Sequence, residues 1–75
     1  MKQILLDITK AIVEDPESVS VSEKVSGDTV VLELSVAKQD MGRVIGKEGK
    51  IAKSIRAVMR AAAAKENKRV IVEII

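Results

Sequence analysis

Two glycines, Gly46 and Gly49, enclose Lys47 and Glu48 and are followed directly by Lys50. Glycine at both ends lets the backbone adopt conformations that other residues avoid, and it removes Cβ atoms that would keep a ligand at a distance. If a helix begins at Lys50, its first N–H groups are unpaired and lie at the positive end of the helix dipole. This arrangement, with its two lysines, predicts a binding site for an anion such as phosphate.

Charge is divided unevenly along the chain, although the net charge of the 75 residues is only +2. Residues 1–37 carry three basic and seven acidic side chains, a net charge of −4, whereas residues 38–75 carry ten basic and four acidic ones, a net charge of +6. A basic half indicates a surface for a polyanion, the alternative being an ordinary solvated surface. Lys53, Arg56 and Arg60 extend this positive surface beyond the glycines under the first interpretation.

The composition excludes several kinds of chemistry. The chain has no Cys, no His and no aromatic residue, so it lacks the commonest general base, the strongest nucleophile and the usual zinc ligands. We therefore expect no enzymatic activity, no cofactor and no metal. Without aromatic residues, base stacking on Phe or Tyr is excluded as well. A chain this short has a thin core, which a partner subunit can supplement.

Hydrophobic periodicity predicts the elements that must position the glycine loop. We expect a helix over 2–14, an antiparallel hairpin of strands over 18–25 and 29–36, a short helix after Asp40, a helix from about Lys50 to Lys65, and a strand over 69–75. This α-β-β-α-α-β order predicts a two-layer α+β domain with three helices on one face of a three-stranded sheet, in which the helical crossover permits parallel pairing of the last two strands.

The same periodicity predicts which residues face the core. Asp40 is expected to cap the short helix through its side chain, and Asn67 to end the long one. The expected apolar stripe of the first helix comprises Ile4, Leu5, Ile8, Ala11 and Ile12. That of the long helix comprises Ile51, Ile55, Val58, Met59 and Ala62, with Lys50, Lys53, Arg56 and Arg60 on its opposite side.

The segment Ile45-Gly46-Lys47-Glu48-Gly49 resembles the I-G-x-x-G signature of the KH domain, whose GXXG loop clamps about four single-stranded nucleotides. The element order is that of the type II KH fold, with a mixed sheet, and the resemblance covers essentially the whole chain. The length and the run from Gly42 to Lys53 are similar to the small stand-alone bacterial KH proteins of the KhpA (YlqC) type. The resemblance implies a single KH domain over residues 1–75.

The resemblance also implies a function, single-stranded RNA binding in the cytoplasm. It further implies a role as RNA chaperone or post-transcriptional regulator linked to cell elongation and division, and assembly as a homodimer or with a KhpB (Jag, EloR)-type KH protein. By this mapping the loop residues contact the RNA backbone, flanking basic residues reinforce them, and aliphatic residues form an apolar floor for the bases. The implied RNA-binding residues are Arg43, Val44, Ile45, Gly46, Lys47, Glu48, Gly49, Lys50, Ile51 and Lys53.

Other interpretations remain open at the level of sequence. The two glycines also suit a helix C-cap followed by a tight turn, and Glu48 either weakens phosphate attraction or belongs to the first helical turn, where acids are favoured.

A protein-interaction module is the main alternative function, and its candidate surfaces are a helical alanine stripe and the outer sheet face. These surfaces comprise Ala57, Ala61 and Ala64, and Val31, Ile71 and Ile75. A metabolite-binding domain is disfavoured because polar pocket residues are missing, and we expect neither a small-molecule substrate nor a membrane span, since no apolar run is long enough.

Overall fold

A computed structural model describes all 75 residues of the chain, and its element order is the predicted α-β-β-α-α-β. Short 3₁₀ turns cover Pro16–Ser18, Lys38–Asp40 and Lys47–Gly49. The α+β class and the three-stranded mixed sheet are confirmed. The helices and strands are α1 (Lys2–Ile12), β1 (Ser20–Ser26), β2 (Thr29–Ser35), α2 (Met41–Ile45), α3 (Lys50–Lys65) and β3 (Arg69–Ile74).

The sheet has the order β1-β2-β3, so that β2 lies in the centre. β1 and β2 form the predicted antiparallel hairpin, closed by a turn in which Gly27 has a φ of +57°. β3 pairs with β2 in parallel, with Leu32 opposite Val72. The parallel pairing follows from the connection through α2 and α3, which carries the chain back to the same end of the sheet.

The core lies between the inner face of the sheet and the helices. Alternate residues of β2 are buried, as expected for a strand with one covered face. The opposite sheet face has no helix over it, and Ile71 and Ile75 are half or more exposed there. The buried apolar cluster comprises Leu5, Val19, Val21, Val30, Leu32, Leu34, Val44, Ile55, Met59 and Val72.

The predicted buried face of α1 is confirmed in part, since Leu5 is in the core and Ile8 and Ile12 pack against it. Leu5 and Thr9 are fully buried, whereas Ile4 is 40% exposed and Ala11 is exposed. Apolar residues occupy more than one side of this helix, so periodicity alone does not fix the centre of its buried face. Thr9 takes a core position because it lies one turn after Leu5, on the same side of the helix.

The long helix α3 has the predicted bounds, but its buried face is also rotated. Ala52, Ile55, Met59 and Ala63 are buried, whereas the predicted core residues Ile51 and Val58 are 40% and 49% exposed. Ala62 is half-buried. The prediction is confirmed for Ile55 and Met59. It was wrong for Ile51 and Val58 because hydrophobicity patterns give alanine little weight, while the small side chain of Ala52 or Ala63 lets the helix approach the sheet closely.

Asn67 ends α3, as predicted. It has a φ of +57°, and its N–H donates to the Ala64 carbonyl at 3.1 Å while the N–H of Lys68 donates to the Ala63 carbonyl at 2.9 Å. This pair of bonds is a Schellman motif. The N–H of Arg69 then donates to the carbonyl of Asp28 at 2.7 Å, which fastens the start of β3 beside the hairpin turn.

Candidate nucleic-acid interface

Asp40 occupies the N-cap position of α2, as predicted, but its side chain makes no capping hydrogen bond to the helix. The residue is fully buried, and its two carboxylate oxygens accept hydrogen bonds from the backbone N–H groups of Glu14 and Asp15, each at 3.0 Å. These bonds explain why α1 ends at Ile12 rather than at residue 14: the next free N–H groups turn to Asp40 instead of continuing the helix. The start of α2 is thereby fastened to the linker between α1 and β1.

Arg43 on α2 forms an ion pair with Glu14 in that linker. It is the only salt bridge in the molecule, and both side chains are more than half exposed. A pair this exposed stabilises the fold by less than about 1 kcal/mol. Arg43 is therefore available to exchange its carboxylate partner for a phosphate at small cost.

The glycine loop has an irregular backbone with positive φ at Gly46, Glu48 and Gly49. Gly46 combines φ +74° with ψ 176°, a region that only glycine occupies readily. A Cβ at Gly46 would lie 2.8 Å from Cβ and 2.9 Å from the backbone nitrogen of Ile51. Glycine is required at this position, therefore, both for its dihedral angles and for the close approach of Ile51.

Glu48 adopts the left-handed conformation, with φ 57° and ψ 27°. It thus stands outside α3, which begins at Lys50, and the interpretation of Glu48 as a first-turn helix residue is wrong. Its side chain is exposed to solvent. The loop accordingly presents an acid and a base side by side, Glu48 next to Lys47, on a backbone strained by about 1 kcal/mol or more at Glu48.

The electrostatic character of the loop is positive. Lys47, Lys50 and Lys53 are all exposed, and none of them forms an ion pair. The N-terminus of α3 has no side-chain cap, so that the positive end of its dipole is unopposed by a protein acceptor. Backbone and side chains therefore favour an anion at the same place.

The predicted apolar floor is only partly at the surface. Ile45 and Ile51 are 39% and 40% exposed and flank the loop. Val44 is fully buried, and it therefore supports α2 from the core rather than offering a surface for a base. Ile51 was expected both in the core and at the site. The structure excludes it from the core and places it against Gly46, partly exposed beside the loop.

The basic residues of α3 do not share one solvated side. Arg56 is half-buried, and its Nε donates to the Val72 carbonyl at 3.3 Å, so it lies against β3. Arg60 lines a groove between α3 and β3 together with two cations that helical periodicity did not reveal, Lys68 and Arg69. The only sequence signal for their place in this groove is that they lie at the junction between a basic helix and the next strand.

The structure contains no group of three or more Asp, Glu, His or Cys side chains arranged to hold a metal ion. None of its helices combines the length and the apolar character needed to cross a membrane.

The α+β fold, with three helices and a three-stranded mixed sheet, is consistent with a KH domain. The family model for the KH domain of KhpA and KhpB matches residues 2–74, and this chain belongs to that family. Members are non-enzymatic, in agreement with the expectation of no catalysis.

Several bacterial relatives match the chain over its full length. The RNA-binding protein KhpA of Clostridium acetobutylicum is 59% identical over 75 residues, with 100% of both chains covered. The protein of the same name from Clostridium perfringens is 53% identical, again over 100% of both chains. KhpA of Listeria monocytogenes is 43% identical over 100% of this chain and 99% of its own.

Among solved structures, Era in complex with MgGDPNP and nucleotides 1506–1542 of 16S ribosomal RNA is similar, with a TM-score of 0.69 and 20% identity. A variant of Aquifex aeolicus Era bound to GDP and aluminium fluoride has a TM-score of 0.64 and 21% identity. Both alignments cover 97% of this chain but only 28% of the Era chain. At this identity the similarity concerns the fold alone.

Proposed function

We propose that this protein binds single-stranded RNA through the loop Gly46–Gly49 and the start of α3. The observation that carries the proposal is the loop itself: an irregular glycine backbone at an uncapped helix start, beside three exposed lysines without ion pairs. Full-length relatives named RNA-binding protein KhpA support RNA as the polyanion. We further propose that residues 1–75 act as a single KH domain in the cytoplasm.

The proposed roles follow from the position of each residue. The loop backbone approaches the phosphates, Lys47, Lys50 and Lys53 neutralise them, and Arg43 joins when RNA displaces Glu14. Ile45 and Ile51 offer an aliphatic surface to a base, and Val44 holds α2 in place from below. The residues proposed to contact RNA are Arg43, Ile45, Gly46, Lys47, Glu48, Gly49, Lys50, Ile51 and Lys53, with Val44 supporting them from the core.

The test is a salt titration of binding to a short unstructured RNA. The wild type should lose affinity as salt rises, because each phosphate contact releases counterions. Replacing Lys47 and Glu48 together, Lys47→Asp with Glu48→Asp, should abolish binding while the circular dichroism spectrum stays unchanged. Lys2→Asp is a matched control, since it changes the charge equally on an exposed position of α1. Unaltered affinity in the double variant would exclude the loop as the site.

At the cellular level we propose a role as RNA chaperone or post-transcriptional regulator linked to cell elongation and division. Membership of the KhpA/KhpB family supports this role. Crosslinking in cells followed by sequencing of the bound RNA tests it. Enrichment of transcripts for envelope and division proteins is expected, and this enrichment should disappear in the Lys47 and Glu48 double variant.

We also propose that α3 associates with a second copy of the chain or with a KhpB-type KH protein. Ala57, Ala61 and Ala64 are exposed on α3, and Val58 on the same helix exposes 49% of its surface. Small side chains let two helices approach closely. Sedimentation should show a dimer for the wild type and a monomer for Ala61→Glu, whereas a monomeric wild type at micromolar concentration would exclude obligate dimerisation.

A further inference from the structure

The outer sheet face, which no helix covers, carries its charges in an ordered pattern. Residues of this face alternate with buried ones along each strand, and the parallel register of β2 and β3 places them in cross-strand rows. Three of these rows are Thr29 with Arg69, Val31 with Ile71, and Glu33 with Glu73. The face therefore passes from a cation through an aliphatic pair to two acids, and Ile71 exposes 50% of its surface.

The acidic row is electrostatically unfavourable in the isolated chain. Glu33 and Glu73 lie directly opposite each other on neighbouring strands, and like charges in this arrangement destabilise a sheet. Neither acid forms an ion pair, and Glu33 accepts only a long hydrogen bond of 3.4 Å from the hydroxyl of Ser22. Lys24, a cation of the same face, lies opposite Val31 and is also without an ion pair. A cation brought by a partner would relieve the repulsion between the two acids.

We propose that the outer sheet face binds the same face of a second copy of the chain, through a contact separate from the one proposed for α3. Arg69 and Glu73 are four residues apart on β3, which corresponds to about 13 Å, and Ile71 lies midway between them. A two-fold axis that crosses the strands at Ile71 reverses the strand direction in the second copy. It brings Glu73 of each copy opposite Arg69 of the other and packs the two Ile71 side chains together.

A second copy is favoured over another basic partner because the outer sheet face is complementary to itself. Its cation and its acids lie at equal distances on either side of the aliphatic row, as a two-fold contact requires. An axis parallel to the strands would place acids on acids, so the charges also select the orientation. Lys24 lies at the opposite border, on β1, where it is exposed and its flexible side chain stays in water.

The size of the face predicts a weak contact. Three strands about 4.8 Å apart and six or seven residues long span roughly 15 by 20 Å, whereas a standard stable interface buries about 800 Å² on each partner. Association therefore depends on a high local concentration, which a contact through α3 would supply. Since the helices pack on the inner face of the sheet, both contacts can form at once and link copies alternately into a chain.

The experiment measures self-association by sedimentation equilibrium up to millimolar protein, with Ala61→Glu as the parent chain so that the contact proposed for α3 is absent. In this parent, Glu73→Lys and Arg69→Glu should each weaken association by about tenfold, because each substitution turns two symmetric attractions into repulsions. An equimolar mixture of the two variants should associate like the parent, since opposite charges then meet at both contacts. Glu17→Lys, with the same charge change in the exposed turn after α1, is the matched control.

The control should associate like the parent, and mixing it with the Arg69→Glu variant should not restore association. A mixture of the Glu73→Lys and Arg69→Glu variants that associates no better than either alone overturns the proposal, as does a parent that stays monomeric throughout the series. If the nuclear magnetic resonance signals of Glu33 and Glu73 in such a monomer shift on addition of a lysine-rich peptide, the face binds a different basic partner, and the second copy is excluded.

Discussion

Asp40 and Glu14 are separated by 26 positions in the chain, yet the carboxylate of the first accepts the backbone N–H of the second at 3.0 Å. The neighbouring N–H of Asp15 bonds to the other carboxylate oxygen. Since Asp40 immediately precedes α2, this contact sets the position of the helix that leads into the glycine loop. A buried acid that is not among the proposed RNA contacts thus helps to position α2 and the loop that follows it.

Replacing this acid should cost much of the stability of the protein. In Asp40→Ala, two partly buried N–H groups lose their charged acceptor, and we expect the free energy of unfolding to fall by about 2 kcal/mol. Denaturation in urea measures the loss. Glu14→Gln removes only the exposed partner of Arg43 and should cost less than about 1 kcal/mol; equal losses in the two variants would contradict the assigned role of Asp40.

Glycine should be replaceable at Gly42 but not at Gly46. In Gly46→Ala the new Cβ meets Ile51 and the dihedral angles are unfavourable, so we expect a loss of about 2 kcal/mol or more in unfolding free energy, together with weaker RNA binding. Gly42 lies in α2, where an added Cβ would have no other atom within 4 Å, and Gly42→Ala should stabilise the protein by up to about 1 kcal/mol. Thermal unfolding of both variants measures these changes, and an equal effect of the two substitutions would contradict the assigned role of Gly46.

Replacing Thr9 with an apolar residue of the same shape should stabilise the protein. Its hydroxyl oxygen is fully buried and has no hydrogen-bond partner, which costs about 1 kcal/mol or more. Thr9→Val retains the shape without the hydroxyl and should raise the unfolding free energy by about that amount. Thr9→Ser, which keeps the hydroxyl and loses the methyl, should lower it. A less stable Val variant would show that the hydroxyl is satisfied in solution.

Removing the acid from the loop should strengthen RNA binding. Glu48→Asn eliminates a negative charge beside the phosphates, and asparagine tolerates the left-handed conformation of this position. We expect affinity to rise by roughly threefold at low salt, with the gain fading as salt screens the charge. Glu17→Asn, in the exposed turn after α1, serves as the control and should leave the affinity unchanged.

The sequence predicted the element order and most element bounds to within two residues, because strand alternation and helical periodicity are local signals. It also located the glycine loop. The rotation of α1 and α3 escaped prediction, since Thr9 and Ala52 occupy core positions that hydrophobicity alone does not assign to them. The hydrogen bonds of Asp40 to the backbone of Glu14 and Asp15 could not be predicted, because a contact between the start of α2 and the segment after α1 depends on tertiary packing. Lys68 and Arg69 join Arg60 only once β3 folds back along α3.

The bond from Arg56 to the Val72 carbonyl has a consequence for aggregation. β3 lies at the border of the sheet, where unpaired backbone groups invite a strand from another molecule. The guanidinium of Arg56 donates a hydrogen bond to one of these groups, the Val72 carbonyl, and places a positive charge beside the strand. A chain with such an aliphatic last strand thereby protects its own border from the edge-to-edge pairing that begins a β-aggregate.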